Sequence, residues 1–143
     1  MTVNELMLQP VVVLVAWSMV MWLWMYSTRI PAIQKYRIKL DPMVPSSELS
    51  SKLPANVRWK ADNYNHLMEQ PTIFYALAIS LALMGQQDME TLVIAWIYVV
   101  LRIIHSFIQV SSNVILRRFA VFALSNVALF ALTIDALMIV FKI

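Results

Sequence analysis

Long apolar runs separated by short polar breaks dominate the order of residues. Leu6 to Thr28 and Gln70 to Gln87 carry no Asp, Glu, Lys or Arg; Thr91 to Leu116 is broken only by Arg102, and Phe119 to Phe141 only by Asp135. A helix needs about 20 apolar residues to cross roughly 30 Å of hydrocarbon, so each run is long enough to span a bilayer. The pattern predicts an all-α membrane protein, a four-helix antiparallel bundle forming one domain over residues 1–143. Its spans are expected at about 7–28, 63–85, 91–112 and 119–141, with a loop over 29–62. Closed barrels are the only other structures lipid permits, and the runs lack their alternation of polar and apolar residues.

Composition agrees. Hydrophobic residues make up 61% and charged residues 13%, and the mean hydropathy is +0.71. A small water-soluble core does not hide that much apolar surface. With no cysteine, disulfides, thiolate metal sites and a protein thiol nucleophile are excluded. The first run has neither a basic leader nor a small-residue cleavage site and reads as a retained span. A net charge of +3 gives no reason to expect nucleic acid.

Basic residues orient the bundle, because cytoplasmic connections collect Lys and Arg. The first connection holds Arg29, Lys35, Arg37, Lys39, Lys52, Arg58 and Lys60, and the third holds Arg117 and Arg118. The opposite side has Lys142 with Glu5, Asp88 and Glu90. Both termini are therefore expected on the non-cytoplasmic side. Pro31, Pro42, Pro45 and Pro54, with Ser46, Ser47, Ser50 and Ser51, predict irregular structure in the middle of the first loop. The second helix is expected to start near Asn56 to Asp62 and to bend at Pro71. Gly85, the only glycine, suits a left-handed cap before a short turn over Gln86 to Glu90. Trp59 and Tyr64 read as interfacial anchors. Trp17, Trp22, Trp24, Met19, Met21 and Met25 are expected against lipid or neighbouring helices.

Chemistry is sought where ionisable groups interrupt the apolar runs. At 1.5 Å rise per residue, Glu69, His105 and Asn126 fall at one level, roughly 10 Å in from the basic side. Asp62, Asn65, His66 and Glu69 share one helix face by their i, i+3, i+4, i+7 spacing. Arg102, His105, Ser106, Gln109, Ser112 and Asn113 form a second polar stripe. The two stripes are expected to face each other or a subunit interface. Glu69 and Arg102 are open to two readings: an acceptor for a cationic ligand group, or a buried ion pair that fixes helix register. His66 and His105 are open to hydrogen bonding within the bundle or, less simply, to haem or metal ligation. Arg29, Arg117 and Arg118 equally suit topological anchors. Asp135 lies away from the polar layer and is assigned no chemistry.

The string Asn63-Tyr64-Asn65-His66-Leu67-Met68-Glu69-Gln70-Pro71, followed by Leu101-Arg102-Ile103-Ile104-His105 and by Leu116-Arg117-Arg118, resembles the MAPEG family. These are the membrane-associated proteins of eicosanoid and glutathione metabolism, including microsomal glutathione transferases. The resemblance covers nearly the whole chain. It implies a homotrimer in a membrane, in the style of bacterial inner-membrane members. Glutathione as co-substrate would bind between subunits near the cytoplasmic side, and a lipophilic electrophile or lipid hydroperoxide would arrive from the lipid.

By the same resemblance Glu69 binds the amino group of glutathione, and Arg102, His105 and Gln109 stand at further contacts. Arg117, or Arg29 at the end of span one, stabilises the thiolate. The family's Arg seven residues and Asn three residues before the Glu are Asp62 and His66 here, with Asn65 the nearest amide. That departure leaves a non-catalytic scaffold as the alternative. No metal is implied.

Overall fold

The computed structural model describes residues 2–85 and 88–142. Helix is 84% of it and strand is absent among the described residues. In chain order the elements are α1 (Val3–Leu6), α2 (Leu8–Lys35), α3 (Ser46–Ser51), α4 (Ala55–Glu69), α5 (Pro71–Met84), α6 (Met89–Ser111) and α7 (Ile115–Phe141). Four helices are long and apolar enough to cross a membrane: α2, the continuous α4–α5 arm over Ala55–Met84, α6 and α7. The protein is a multi-pass bundle by length and composition.

Helix ends follow local chemistry. The Thr2 hydroxyl accepts from the Glu5 amide and the Glu5 carboxylate accepts from the Thr2 amide, a reciprocal cap at the start of α1. The Asp88 carboxylate accepts from the Thr91 amide at 2.9 Å to open α6. This hydrogen bond, with a second from the Thr91 hydroxyl, holds the Asp88 carboxyl below its usual pKa. Gly85 has φ 73° and closes α5 in the left-handed conformation. Of the turn expected to follow it, Gln86 and Gln87 lie outside the described residues. Asn113 also takes a positive φ, 49°, in the brief connection between α6 and α7, which makes those two helices a hairpin.

The first connection is more ordered than its prolines suggested. Pro31 lies inside α2, and the helix continues to Lys35. Ala32 there packs against Leu53 and Val57 in a satellite cluster, and this tertiary contact offsets the lost amide donor. α4 begins at Ala55, one residue ahead of the expected window of Asn56 to Asp62. The break between α4 and α5 falls at Gln70, directly before Pro71. Proline leaves the Leu67 carbonyl without its helical donor there.

Leu14 and Met21 of α2, Leu67 of α4, Phe74, Ala78 and Leu81 of α5, Tyr98 and Val99 of α6 and Leu132 of α7 are buried in the main core. Phe74 stacks on Tyr98 at 4.5 Å between ring centroids. Outward faces carry Val12, Met19, Leu23, Ile73, Phe119 and Phe130, which a bilayer solvates. Met21 and Met25 face inward, while Trp22 and Trp24 are exposed. Asp135 is tied to this end of the bundle, since its carboxylate lies 3.2 Å from the Thr91 hydroxyl.

Candidate functional site

The polar stripe of α6 faces into the bundle. Arg102, His105, Ser106 and Gln109 are all buried, spaced so that they form one column. The stripe of α4 does the opposite. Asp62, Asn65 and Glu69 are exposed and His66 is half-buried, because the inward positions belong to Val57, Lys60, Asn63 and Leu67. The two stripes therefore meet only along one edge, where the His66 and His105 rings lie 4.9 Å apart.

That edge organises the site. His66 Nδ1 lies 3.3 Å from Glu69 Oε2, and the Glu69 side chain is 70% exposed. Arg102 is fully buried, and its Nη2 donates to the backbone carbonyl of His66 at 3.1 Å. Its guanidinium also sits over the Phe122 ring at 5.6 Å. Of the two readings of Glu69 and Arg102, the buried ion pair does not form within the chain. Glu69 points off the outer face of α4, so Arg102 takes a carbonyl and an aromatic face in place of a carboxylate. The acid, the base and the imidazole thus do not line one enclosed cavity in a single chain. The expected common level of Glu69, His105 and Asn126 is met at two contacts: Gln70, next to Glu69, donates through Nε2 to Asn126 Oδ1, and the His105 ring lies against His66, one turn before Glu69.

A cleft of about 180 Å³ opens beside the histidine pair, lined by His66, His105, Ile115, Arg118, Phe119 and Phe122. Its basic residue is Arg118, held by a 2.7 Å bond from Nη1 to Asn113 Oδ1. Arg117, one residue earlier and about 100° around the helix, is exposed. In the sequence Arg118 is part of the family-like string Leu116-Arg117-Arg118 and otherwise reads as a topological anchor. The signal was present in the i, i+3, i+4, i+7 spacing of Ile115, Arg118, Phe119 and Phe122, which places them on one face.

Arg29 is elsewhere. It lines a larger cavity of about 550 Å³ between the end of α2, α3 and the start of α4, with Arg58, Asp62, Asn65 and several serines. Its Nη2 donates to Ser50 Oγ at 2.9 Å. Asn65 thus belongs to this cavity, and Gln109 lies within the buried column. Among the described residues, no group of three or more His, Asp or Glu side chains is placed to hold a metal ion.

Neither the curated proteins nor the solved structures give a match to the sequence. The family model described as the MAPEG family does match, over residues 7–138. That span takes in α2, the α4–α5 arm, α6 and α7 as far as Met138, with the histidine edge and both arginines of the third connection, and the chain belongs to the MAPEG family.

Proposed function

We propose that this protein is a membrane glutathione-dependent transferase or peroxidase, acting on lipophilic electrophiles or lipid hydroperoxides, whose site is completed by a neighbouring copy in a homotrimer. The observation that carries the reading is the exposed carboxylate of Glu69 in the middle of a helix long enough to span a membrane. An ionised group at such a depth is costly against acyl chains, so it faces protein or a water-filled cavity. A second copy covering the outer face of α4 meets that need, and leaves Glu69, His66 and the Arg118 cleft facing one shared space. The basic flank faces the cytoplasm and both termini the other side, as the Lys and Arg distribution favours.

In this reading Glu69 accepts from the glutathione amino group, with His66 orienting the carboxylate. Arg102, His105 and Gln109 form the polar wall behind. Of the two arginines in the third connection, the cleft favours Arg118 as the thiolate partner. Its cation in a partly dry pocket favours loss of the thiol proton. For a transfer, the thiolate sulfur forms a bond to the electrophilic carbon, and the leaving group departs with the electron pair. For a hydroperoxide, two glutathione thiols supply two electrons and two protons, giving an alcohol, water and the disulfide. The apolar mouth at Ile115 and Phe119 admits the lipophilic partner from the acyl-chain side.

The test is ligand-linked stability together with turnover. A ligand that binds only the folded state at a hundred times its Kd stabilises by about 2.7 kcal/mol, which a melting curve of the detergent-purified protein resolves. A glutathione-dependent rise in melting temperature with conjugation or peroxide reduction is expected. The absence of both refutes the reading and leaves the scaffold alternative, which Asp62 and His66 at the family's Arg and Asn places favour.

A further inference from the structure

Where the chain leaves α2, residues 35–43 alternate basic and apolar side chains. We propose that this strip docks on the surface of the protein's own bilayer, with Tyr36, Leu40 and Met43 at the boundary of the acyl chains and Lys35, Arg37 and Lys39 on the phosphates of anionic glycerophospholipids.

Helix length sets the depth. α2 runs 28 residues, about 42 Å at 1.5 Å per residue, which matches a bilayer of about 40–45 Å with its headgroups. Lys35 stands about 10 Å beyond Thr28, the end of the first uncharged run, and so lies among headgroups. A paired cap stops the helix at that level: the Ile38 amide donates to the Ile33 carbonyl at 3.1 Å and the Arg37 amide to that of Gln34 at 3.2 Å. Arg37 takes φ 48°, a left-handed conformation that favours glycine. The turn sends Ile38 inward, onto the cluster of Ala32, Leu53 and Val57.

What the turn leaves outside is apolar and cationic together. Tyr36, Leu40 and Met43 are 52%, 69% and 88% exposed. Three basic residues against the carboxylate of Asp41 leave the strip two net positive charges, and Lys35 Nζ lies 5.9 Å from the centre of the Tyr36 ring, so cation and ring share a side. Asp41 spends its carboxylate within the strip, accepting from the Met43 amide at 2.9 Å. Apolar groups beside cations suit the place where hydrocarbon begins under a negative surface. Continuity with a helix that ends at headgroup level assigns that surface to the membrane and not to an acidic soluble protein. Lys35, Tyr36, Arg37, Lys39 and Met43 line neither the cavity around Arg29 nor the cleft at the histidine pair, so the docking stands apart from the glutathione reading.

A chain without cysteine takes a single label cleanly. The full-length protein with Met43→Cys is spin-labelled and placed in nanodiscs of phosphatidylglycerol or of phosphatidylcholine. Collisions of the label with oxygen, which concentrates in lipid, and with a water-soluble nickel chelate report its surroundings. In phosphatidylglycerol the label is expected to meet oxygen and be shielded from nickel, and in phosphatidylcholine to meet nickel. A label at Glu48→Cys, an exposed position on α3, is expected to meet nickel in both. Lys35→Gln with Lys39→Gln removes two exposed charges and should lower the ratio of embedded to free label about fivefold for each, with a melting curve to confirm the fold. A label at position 43 that meets nickel in phosphatidylglycerol overturns the proposal. Equal embedding in the two lipids, or in the presence and absence of the two lysines, overturns the anionic surface as the partner. A label shielded from both reagents is covered by protein, a neighbouring copy or a soluble partner, and overturns it as well.

Discussion

Replacing Arg118 by Gln removes the cation from the 180 Å³ cleft while leaving most of the fold untouched. Arg118 is half-buried and makes a hydrogen bond to Asn113, so the stability cost is about 0.5–1.5 kcal/mol. Under the proposed glutathione chemistry the catalytic cost is larger. Losing a preorganised group that stabilises developing charge takes about 2.7–4 kcal/mol from the transition state, a fall of about a hundred- to a thousandfold in kcat. Because one pKa unit corresponds to 1.36 kcal/mol, the lower figure equals a rise of about two units in the bound thiol pKa. The ultraviolet absorbance of the thiolate, followed against pH in the glutathione complex, reads that shift directly. Conjugation rates with an aryl halide give the kinetic side. Arg118→Lys keeps the charge but loses the fork, and should fall between wild type and Arg118→Gln. Arg117→Gln, outside the cleft, should keep both the thiol titration and the rate. A protein that binds glutathione yet shows equal rates for Arg118→Gln and Arg117→Gln refutes the assignment.

Two further outcomes follow from packing and capping. Phe74→Ala empties a fully buried position stacked on Tyr98 and should cost about 3–5 kcal/mol, whereas its exposed neighbour in Ile73→Ala should change stability by no more than about 0.5 kcal/mol. Chemical denaturation in mixed micelles separates them, and similar losses at both positions would remove the inward assignment of Phe74. Asp88 is held below the ordinary carboxylate pKa by the Thr91 amide, so its stabilising effect is present in full above the unfolded pKa and fades as pH falls through the lower folded one. Asp88→Asn should therefore melt earlier than wild type at neutral pH and converge with it in acid; a gap independent of pH contradicts the capping role.

Four long helices were legible in the sequence because lipid leaves the chain few choices, and uninterrupted apolar length is a direct signal. Gly85 was legible for a similar reason, since a left-handed cap after an apolar run favours glycine. Pro31 misled: proline disfavours helix locally, but a contact with Leu53 and Val57, distant in sequence, decides the matter. The site was half legible. Spacing put Asp62, Asn65, His66 and Glu69 on one face, but periodicity does not say whether a polar face looks inward or toward another copy. For the same reason the sequence left Glu69 and Arg102 open between an ion pair and a ligand acceptor, and only the outward turn of Glu69 removes the pair within the chain. Arg118 escaped because two adjacent arginines look alike in a string, and only the turn at Asn113 distinguishes them.

The interruption at Gln70 divides the second long arm into two pieces with different duties. The part before it packs on α2 and α6 through Val57, Lys60, Asn63 and Leu67 and carries Asp62, Asn65 and Glu69 on the opposite, exposed face; the part after it, beginning at Pro71, packs on α2 and α7. Exchanges confined to Asp62, Asn65 and Glu69 therefore alter what that face offers a neighbour while the buried fit of both pieces stays in place.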